Sequence, residues 1–446
     1  MTYLETIKYL ESFINYEKIP AYPYKESLKL ERIKEFLNKI GNPQGSLKCI
    51  HIAGTKGKGS TCAFIAYILR EAGFKVGLYT SPHLSDFRER IRILSPVDTK
   101  SLRAAQEDFE GMIPKRKLAK LAEDLKPVIE RYNKNSKYGP LSFFEVYTSL
   151  AFVYFKEQNV DFAVLETGLG GRLDATNVVN PLVCALTPIS YEHTQKLGNT
   201  LKEIAREKAG IIKGKNLVVI SAPQEEEAME VIRQRCFQQG AKLYEVGKDI
   251  LFKAANKGFN IKGRFGEYPD LKIRLVGTYQ IINAALGLGT IEALCSYNIN
   301  VPVNPIKNGF YNTIWPGRCE VVSRRPFIVL DGAQNIASAQ ALKKAIKENF
   351  QYKRLILILG ISKDKDIKGI CKQLYDLADE VVLTMANNPR ATEPKYLARY
   401  FRGKNIHITN SVKEAKALSA RLSKKEDLNL VTGSLFVVGE FRNGKA

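Results

Sequence analysis

The stretch Ala53-Gly54-Thr55-Lys56-Gly57-Lys58-Gly59-Ser60-Thr61 constrains this chain more than any other. Before it, the apolar run Cys49-Ile50-His51-Ile52-Ala53 reads as a buried strand. After it, Cys62, Ile65, Ile68-Leu69 and Ala72 recur at helical spacing until Gly73. A strand, a glycine-rich turn and a helix N-terminus, in that order, make a cradle for phosphate. The glycines let backbone N–H groups converge, and the helix dipole adds positive potential. In that setting Lys58 reaches the β- and γ-phosphates as a point charge, with Ser60 or Thr61 near the metal. The strict pattern G-x-x-x-x-G-K-[ST] is not met, because Ile52 and Gly59 stand where Gly and Ser/Thr belong. Glycine-rich turns also occur without a ligand, so the rest of the chain has to decide.

At 446 residues the chain is too long for one ordinary core, and two domains are expected. A hydrophobic fraction of 45% supports a fully folded chain. No apolar stretch approaches membrane-spanning length, and Met1-Thr2-Tyr3-Leu4-Glu5 lacks the basic start and apolar core of a secretory signal. The expectation is a soluble, cytoplasmic protein without membrane attachment. The seven cysteines (49, 62, 184, 236, 295, 319 and 371) are scattered and form no CxxC, which fits reduced thiols better than a disulfide or zinc framework. The formal charge of +22 admits three readings: a solvated lysine surface, nucleic acid, or small anionic ligands. Apart from a local cluster at Lys115-Arg116-Lys117 the basic residues are dispersed, and no nucleic-acid-binding module surrounds them.

In chain order, residues 1–46 have helical patterning, ending at Gly41-Asn42-Pro43. A short strand from Val76 to Thr80 delivers Ser81-Pro82-His83-Leu84; a serine there is either a turn former or a ligand at a strand's carboxyl end. Residues 98–137 are charged and read as helical, and Ser142-Phe143-Phe144-Glu145 opens an apolar helix running through Phe155. The strand Phe162-Ala163-Val164-Leu165 ends in Glu166, a costly place for a carboxylate unless a partner such as the Mg²⁺ of a nucleotide pairs with it. The loop Gly168-Leu169-Gly170-Gly171-Arg172-Leu173-Asp174-Ala175-Thr176-Asn177 lets backbone approach a ligand closely. A strand over 183–186 exits into Ser190-Tyr191-Glu192-His193. Thr200 with Glu203 forms a capping box for a helix that carries Lys208. The organisation restarts near residue 300. Strands at 327–330, 355–359, 380–384, 406–409, 429–432 and 436–438 alternate with helices, giving a second, smaller α/β domain. The expected fold is α/β: an N-terminal P-loop-type ATPase domain (1–299) with a mainly parallel sheet, then a C-terminal Rossmann-like α/β domain (300–446).

Taken in order, the loop Gly54-Thr55-Lys56-Gly57-Lys58-Gly59-Ser60, Thr80-Ser81-Pro82-His83-Leu84, the Glu166-to-Asn177 stretch and Trp315-Pro316-Gly317-Arg318 resemble the folylpolyglutamate synthase/dihydrofolate synthase family of the Mur ligase superfamily. The likeness runs from Leu30-Glu31-Arg32-Ile33 to Gly439-Glu440, nearly the whole chain. It implies a monomeric ligase that uses ATP and two Mg²⁺ ions to join L-glutamate to dihydropteroate or a reduced folate, without nucleic acid. Gly54, Thr55, Gly57, Lys58, Gly59, Ser60, Asn283, Arg318 and Asp331 then match ATP contacts. Ser81, Glu166 and His193 match metal ligands. Lys208 matches a lysine carried as a carbamate (N6-carboxylysine), which with Lys58 and His193 makes the catalytic set. Ser142, Phe143, Phe144 and Glu145, with Leu173, Asp174 and Ala175, match the segments that bind the pterin-containing substrate. Lys56, Glu192, Tyr279, Gln334 and Asn388 depart from the residues usual in the family. Two rival readings are a cell-wall Mur ligase, against which the GKGS, TSPHL and GLGGRLDATN motifs stand, and a nucleic-acid-dependent P-loop NTPase.

Overall fold

A computed structural model describes residues 1–19, 22–96, 109–255 and 258–443. They divide into two compact units. The first holds Met1–His83, Phe87–Arg274 and Ile281–Thr313; the second holds Leu84–Asp86, Leu275–Gln280 and the chain from Ile314 onward.

The first unit is built on seven strands: β1 (Cys49–Ala53), β2 (Val76–Tyr79), β3 (Ile91–Leu94), β4 (Phe162–Glu166), β5 (Pro181–Leu186), β6 (Val218–Ser221) and β7 (Lys242–Glu245). Their order is β3-β2-β4-β1-β5-β6-β7, parallel throughout except for β2 with β3. Every residue of β1 is buried, as expected of a parallel strand covered on both faces, and this is why its sequence shows no alternation. Register fixes what emerges where: Ile52 lies opposite Glu166, Ala53 opposite Leu186, and Tyr79 opposite Leu165. The glycine-rich turn, Glu166, the residues after Leu186 and Ser81 therefore all leave the sheet at its carboxyl edge, where ligand crevices of such sheets form.

The helices that matter for this edge are α1 (Lys58–Glu71), α2 (Phe143–Glu157), α3 (Leu201–Ala209), α4 (Glu226–Gln239), α5 (Tyr279–Ala293) and α6 (Val303–Asn312). Capping boxes open α2 (Ser142 with Glu145) and α3 (Thr200 with Glu203). Helix α6 packs on α1: the rings of Phe64 and Phe310 meet edge to face at 5.4 Å, and Gly309 lies against the backbone of Ile68. That contact carries residues 300–313 with the first unit. A three-stranded antiparallel sheet, β8 (Leu251–Ala255), β9 (Gly258–Lys262) and β10 (Glu267–Leu271), has no counterpart in the sequence reading.

The second unit is a six-stranded sheet of β11 (Glu320–Arg324), β12 (Phe327–Leu330), β13 (Leu355–Leu359), β14 (Glu380–Leu383), β15 (Asn405–Ile408) and β16 (Leu428–Thr432). The order is β11-β12-β16-β13-β14-β15, with only the β11–β12 pair antiparallel. The strand expected over 436–438 is instead part of a helix, Leu435–Asn443. Leu435, Val438 and Phe441 recur at helical spacing and are buried, and a three-residue apolar run cannot show that period. Of the helical stretch expected over 98–137, Lys115–Asn135 is a helix, and residues 98–108 lie outside the described residues.

Because a Cβ at Gly309 would land on the backbone of Ile68, Gly309→Ala must push α6 off α1. Overpacking of this kind costs about 1–3 kcal/mol. The expected outcome is a thermal midpoint lowered by several degrees in the intact chain, measured without ligand.

Candidate active site at the carboxyl edge of the first sheet

Gly57 caps α1 with φ 85°, and no side chain closes the helix start, so the N–H groups of its first turn remain available to an anion. The carboxamide of Asn283, on α5, occupies the place where a Cβ of Gly57 would be. Only glycine admits this approach, and it sets Asn283 directly on the phosphate loop. Gly54 (φ 145°) is pressed in the same way against the Thr187 side chain. The loop is clasped to the exit of β5: Thr55 N–H donates to Pro188 O at 3.0 Å, and Ser190 N–H donates to Thr55 Oγ1 at 3.0 Å.

Lys58 points along the sheet edge, its Nζ 3.9 Å from Glu166 Oε1. Glu166 is buried, and its Oε2 accepts from the backbone N–H of Ser81 at 3.2 Å. Lys208, at the C-terminal end of α3, is buried too and donates to the carbonyl of Gly54 at 2.7 Å. Burial, reinforced by the charge of Lys58, pushes its ammonium down to about 7. Lys56 is partly buried, and desolvation lowers its pKa against the opposing charge of Glu192. His193 is exposed, in left-handed backbone (φ 52°), just before the short helix Thr194–Leu197.

The donors at this edge suit Mg²⁺. Glu166 supplies one buried carboxylate, Ser81 and Thr61 supply hydroxyls, and Thr61 Oγ1 is buried with no protein partner. Among the described residues no three His, Cys, Asp or Glu side chains converge, so His193 is not gathered with Glu166 and a third such ligand. A partial shell of oxygens is what Mg²⁺ takes when nucleotide phosphates and water complete its coordination. The buried hydroxyls of Thr167, Thr187 and Ser190 are likewise without protein partners, and all three follow strand ends at this edge. Sequence reasoning missed Thr167 and Thr187; their position one residue past the strands was the available signal.

Polar side chains in the segments expected to bind a pterin are bonded within the protein. In α2, Glu145 accepts from Arg32 Nε with both oxygens (2.9 and 3.0 Å) and from the Ser142 N–H and hydroxyl (each 2.7 Å). Ser142, Phe143 and Glu145 are buried; Phe144 alone is partly open, its ring lying over Gly168. Asp174 is 3% exposed and holds its own loop together. Its Oδ2 accepts from the N–H groups of Gly168 and Leu169 (both 2.9 Å), and its Oδ1 from the N–H and hydroxyl of Thr176 (3.0 and 2.6 Å). These four bonds fill the acceptor capacity of a carboxylate. Burial raises its pKa and the bonds oppose that rise. Thr176 Oγ1 also meets His51 Nε2, from the middle of β1, at 2.8 Å. Leu173 is half-buried and Ala175 buried.

In the second unit, Asp331 ends β12 with Oδ2 accepting from Cys319 N–H and Oδ1 from Ala333 N–H, each at 2.8 Å. Burial raises its pKa and the Arg318 charge opposes that rise. Tyr279 lies close enough that burial and then Asp331 push its phenol far up, keeping it neutral.

Two family descriptions match: "Mur ligase middle domain" over residues 135–291 and "Mur ligase, glutamate ligase domain" over residues 317–435. The dihydrofolate synthase/folylpolyglutamate synthase of Bacillus subtilis is 33% identical over 420 residues, covering 93% of this chain and 94% of that protein. The chain belongs to the dihydrofolate synthase/folylpolyglutamate synthase family. Its fold is that of solved members. The folylpolyglutamate synthase of Mycobacterium tuberculosis complexed with ADP superposes with a TM-score of 0.86 at 29% identity, over 100% of this chain and 98% of that one. E. coli FolC in complex with DHPP and ADP gives a TM-score of 0.82 at 29% identity, over 99% and 97%. No described helix is long and apolar enough to cross a membrane.

Removing the Asp174 carboxylate leaves four donors of its loop unpaired. Asp174→Ala is therefore expected to lower stability by about 2 kcal/mol or more, seen as a lower thermal midpoint with no substrate present. An unchanged midpoint would free Asp174 for a role toward substrate.

Proposed function

We propose that this protein is an ATP-dependent carbon–nitrogen ligase that adds L-glutamate to dihydropteroate, to the γ-carboxylate of a reduced folate, or to both. Membership of the family supports the reaction class. The observation in the molecule that carries it is the phosphate loop, with Lys58, Asn283 and Glu166 drawn together at one sheet edge.

A carboxylate is a poor electrophile, so the acceptor is first phosphorylated. A carboxylate oxygen attacks the γ-phosphorus, the bond to the bridging oxygen breaks, and ADP leaves. The amine of glutamate then attacks the acyl carbon and loses a proton. The C–N bond forms as phosphate departs. The N–H groups at the start of α1 hold the phosphate oxygens in place, and the ammonium of Lys58 offsets the charge that gathers on them during transfer. Asn283 supports the loop and offers its carboxamide to the nucleotide. Glu166, with Ser81 and Thr61, would hold Mg²⁺, which when bound adds positive charge against the phosphates. Arg318 and Asp331 are the nucleotide-facing residues we assign to the second unit. Among the pterin-side residues, Phe144 and Leu173 offer apolar surface, while Ser142, Phe143, Glu145, Asp174 and Ala175 shape the walls from within.

Lys208 is the residue we assign as a carbamate. Its surroundings lower its pKa to about 7, so the neutral amine that adds CO₂ becomes the major form as pH rises through that value. Protein equilibrated with ¹³C-bicarbonate is expected to show a carbamate carbon resonance that is lost in Lys208→Ala, with small carboxylic acids partly restoring that variant's turnover. A free amine in the active enzyme would overturn the assignment.

Turnover itself is tested by ADP release with glutamate plus dihydropteroate, beside glutamate plus a reduced folate. Lys58→Ala is expected to remain folded and to lose about 100- to 1,000-fold in turnover, as removal of a transition-state charge partner does. Turnover within threefold of the parent would remove Lys58 from the mechanism.

A further inference from the structure

A second basic site lies in the first unit, formed by residues other than those of the phosphate loop. A cavity of about 330 Å³ opens between the C-terminal end of α3, helix α4 and the turn at Arg172. Three guanidinium groups line it, each from a different element: Arg172, Arg206 and Arg235. No carboxylate lines it. Gln234 and Gln238, one helical turn apart on α4, add carboxamides, and Ala209 and Val231 contribute apolar wall.

Two of these arginines are held in place by bonds that leave nitrogens to spare. Arg172 donates Nε and Nη2 to Glu207 Oε1 (3.1 and 2.7 Å), and its backbone N–H donates to Glu207 O at 2.7 Å. Its side chain lies directly on Gly210, where a Cβ would displace it. Arg235 donates Nε to the carbonyl of Ile212 at 3.2 Å. The Arg206 side chain is exposed and lies near enough to Glu203, one turn earlier on α3, for the two charges to attract, with no side-chain hydrogen bond to a described residue. Arg235 and Arg206 thus keep their terminal nitrogens for something outside the protein. Glu207 offsets Arg172 and Glu203 partly offsets Arg206, so the cavity keeps a net positive charge that is carried chiefly by Arg235 and Arg206. Guanidinium forks match carboxylate and phosphate oxygens in geometry as well as sign. The volume is at the lower end of small-molecule pockets, about 300–1,000 Å³.

We infer that this cavity is a binding site for a small anion bearing two or more negative charges on oxygen. Two sources carry that chemistry where the proposed reaction runs: released inorganic phosphate, and the carboxylates of a γ-linked glutamate chain. The second source rests on the proposed function; the site itself does not. The site would report to the reaction centre through α3, because Glu207, which holds Arg172, precedes Lys208, which holds Gly54.

The test is calorimetric titration of the full chain at 150 mM salt, with saturating ADP and Mg²⁺ filling the phosphate loop. The titrants are inorganic phosphate, γ-linked triglutamate, and acetate as the singly charged control. The parent is expected to bind phosphate, triglutamate or both, each more tightly than acetate, and the titrant that binds identifies the source. Arg206→Gln/Arg235→Gln is expected to weaken that binding at least tenfold while leaving ADP affinity unchanged. Equal affinity in parent and double variant would overturn the proposal, as would no binding of either polyanion in the parent. Neither result depends on turnover, so failure here is separable from failure of the ligase reading.

Discussion

The placement of β1 between β4 and β5 is the constraint on which the active edge depends. Parallel pairing on both sides fixes the strand's height, and with it the height of the turn that follows. Once Ile52 is level with Glu166 and Ala53 with Leu186, the backbone of Gly54 has to pass the Thr187 side chain, and Gly57 has to pass Asn283. The glycines are thus demanded twice, by the helix start and by neighbours already in position. The carbonyl that Gly54 turns inward meets the buried ammonium of Lys208, so α3 is tied to the loop as well. Five segments far apart in sequence are made mutually dependent by one strand's register.

Local chemistry explains how much of this was legible. The β1–turn–α1 unit, the Thr200–Glu203 capping box and most of the parallel strands each have a signature within a few residues, and their positions followed from it. The β8–β10 sheet did not, because Leu251–Ala255 is largely exposed and the alternation in Gly258–Lys262 rests on two residues alone, Phe259 and Ile261. The run at 436–438 was too short to reveal its period. The site was legible where a residue type is costly without a partner, as with Glu166 at a buried strand end. It was not legible where a polar group finds its partner inside the protein. Nothing local shows that Arg32 will take up both oxygens of Glu145, or that Asp174 will bond Gly168, Leu169 and Thr176. Those pairings are tertiary, and they brace residues whose partners the sequence does not name.

The bonding around Thr176 has a consequence for how the enzyme meets acid. The threonine hydroxyl has a single hydrogen, which it gives to Asp174; it can therefore only accept from His51, whose Nε2 must carry the ring proton. The other ring nitrogen is enclosed with no partner, and burial pushes the imidazole down to about 3. A histidine usually senses mild acidification; here it is an uncharged strut under the glycine-rich loop, silent across the range in which cells vary. The cost appears only in the unfolded chain, where the same ring takes up a proton near its ordinary value of about 6.5. Folding then excludes a proton that unfolding admits, so stability drains away as pH falls below that value towards 3. The imidazole itself keeps one charge state while the molecule is intact, and acid reaches it only through the unfolded chain.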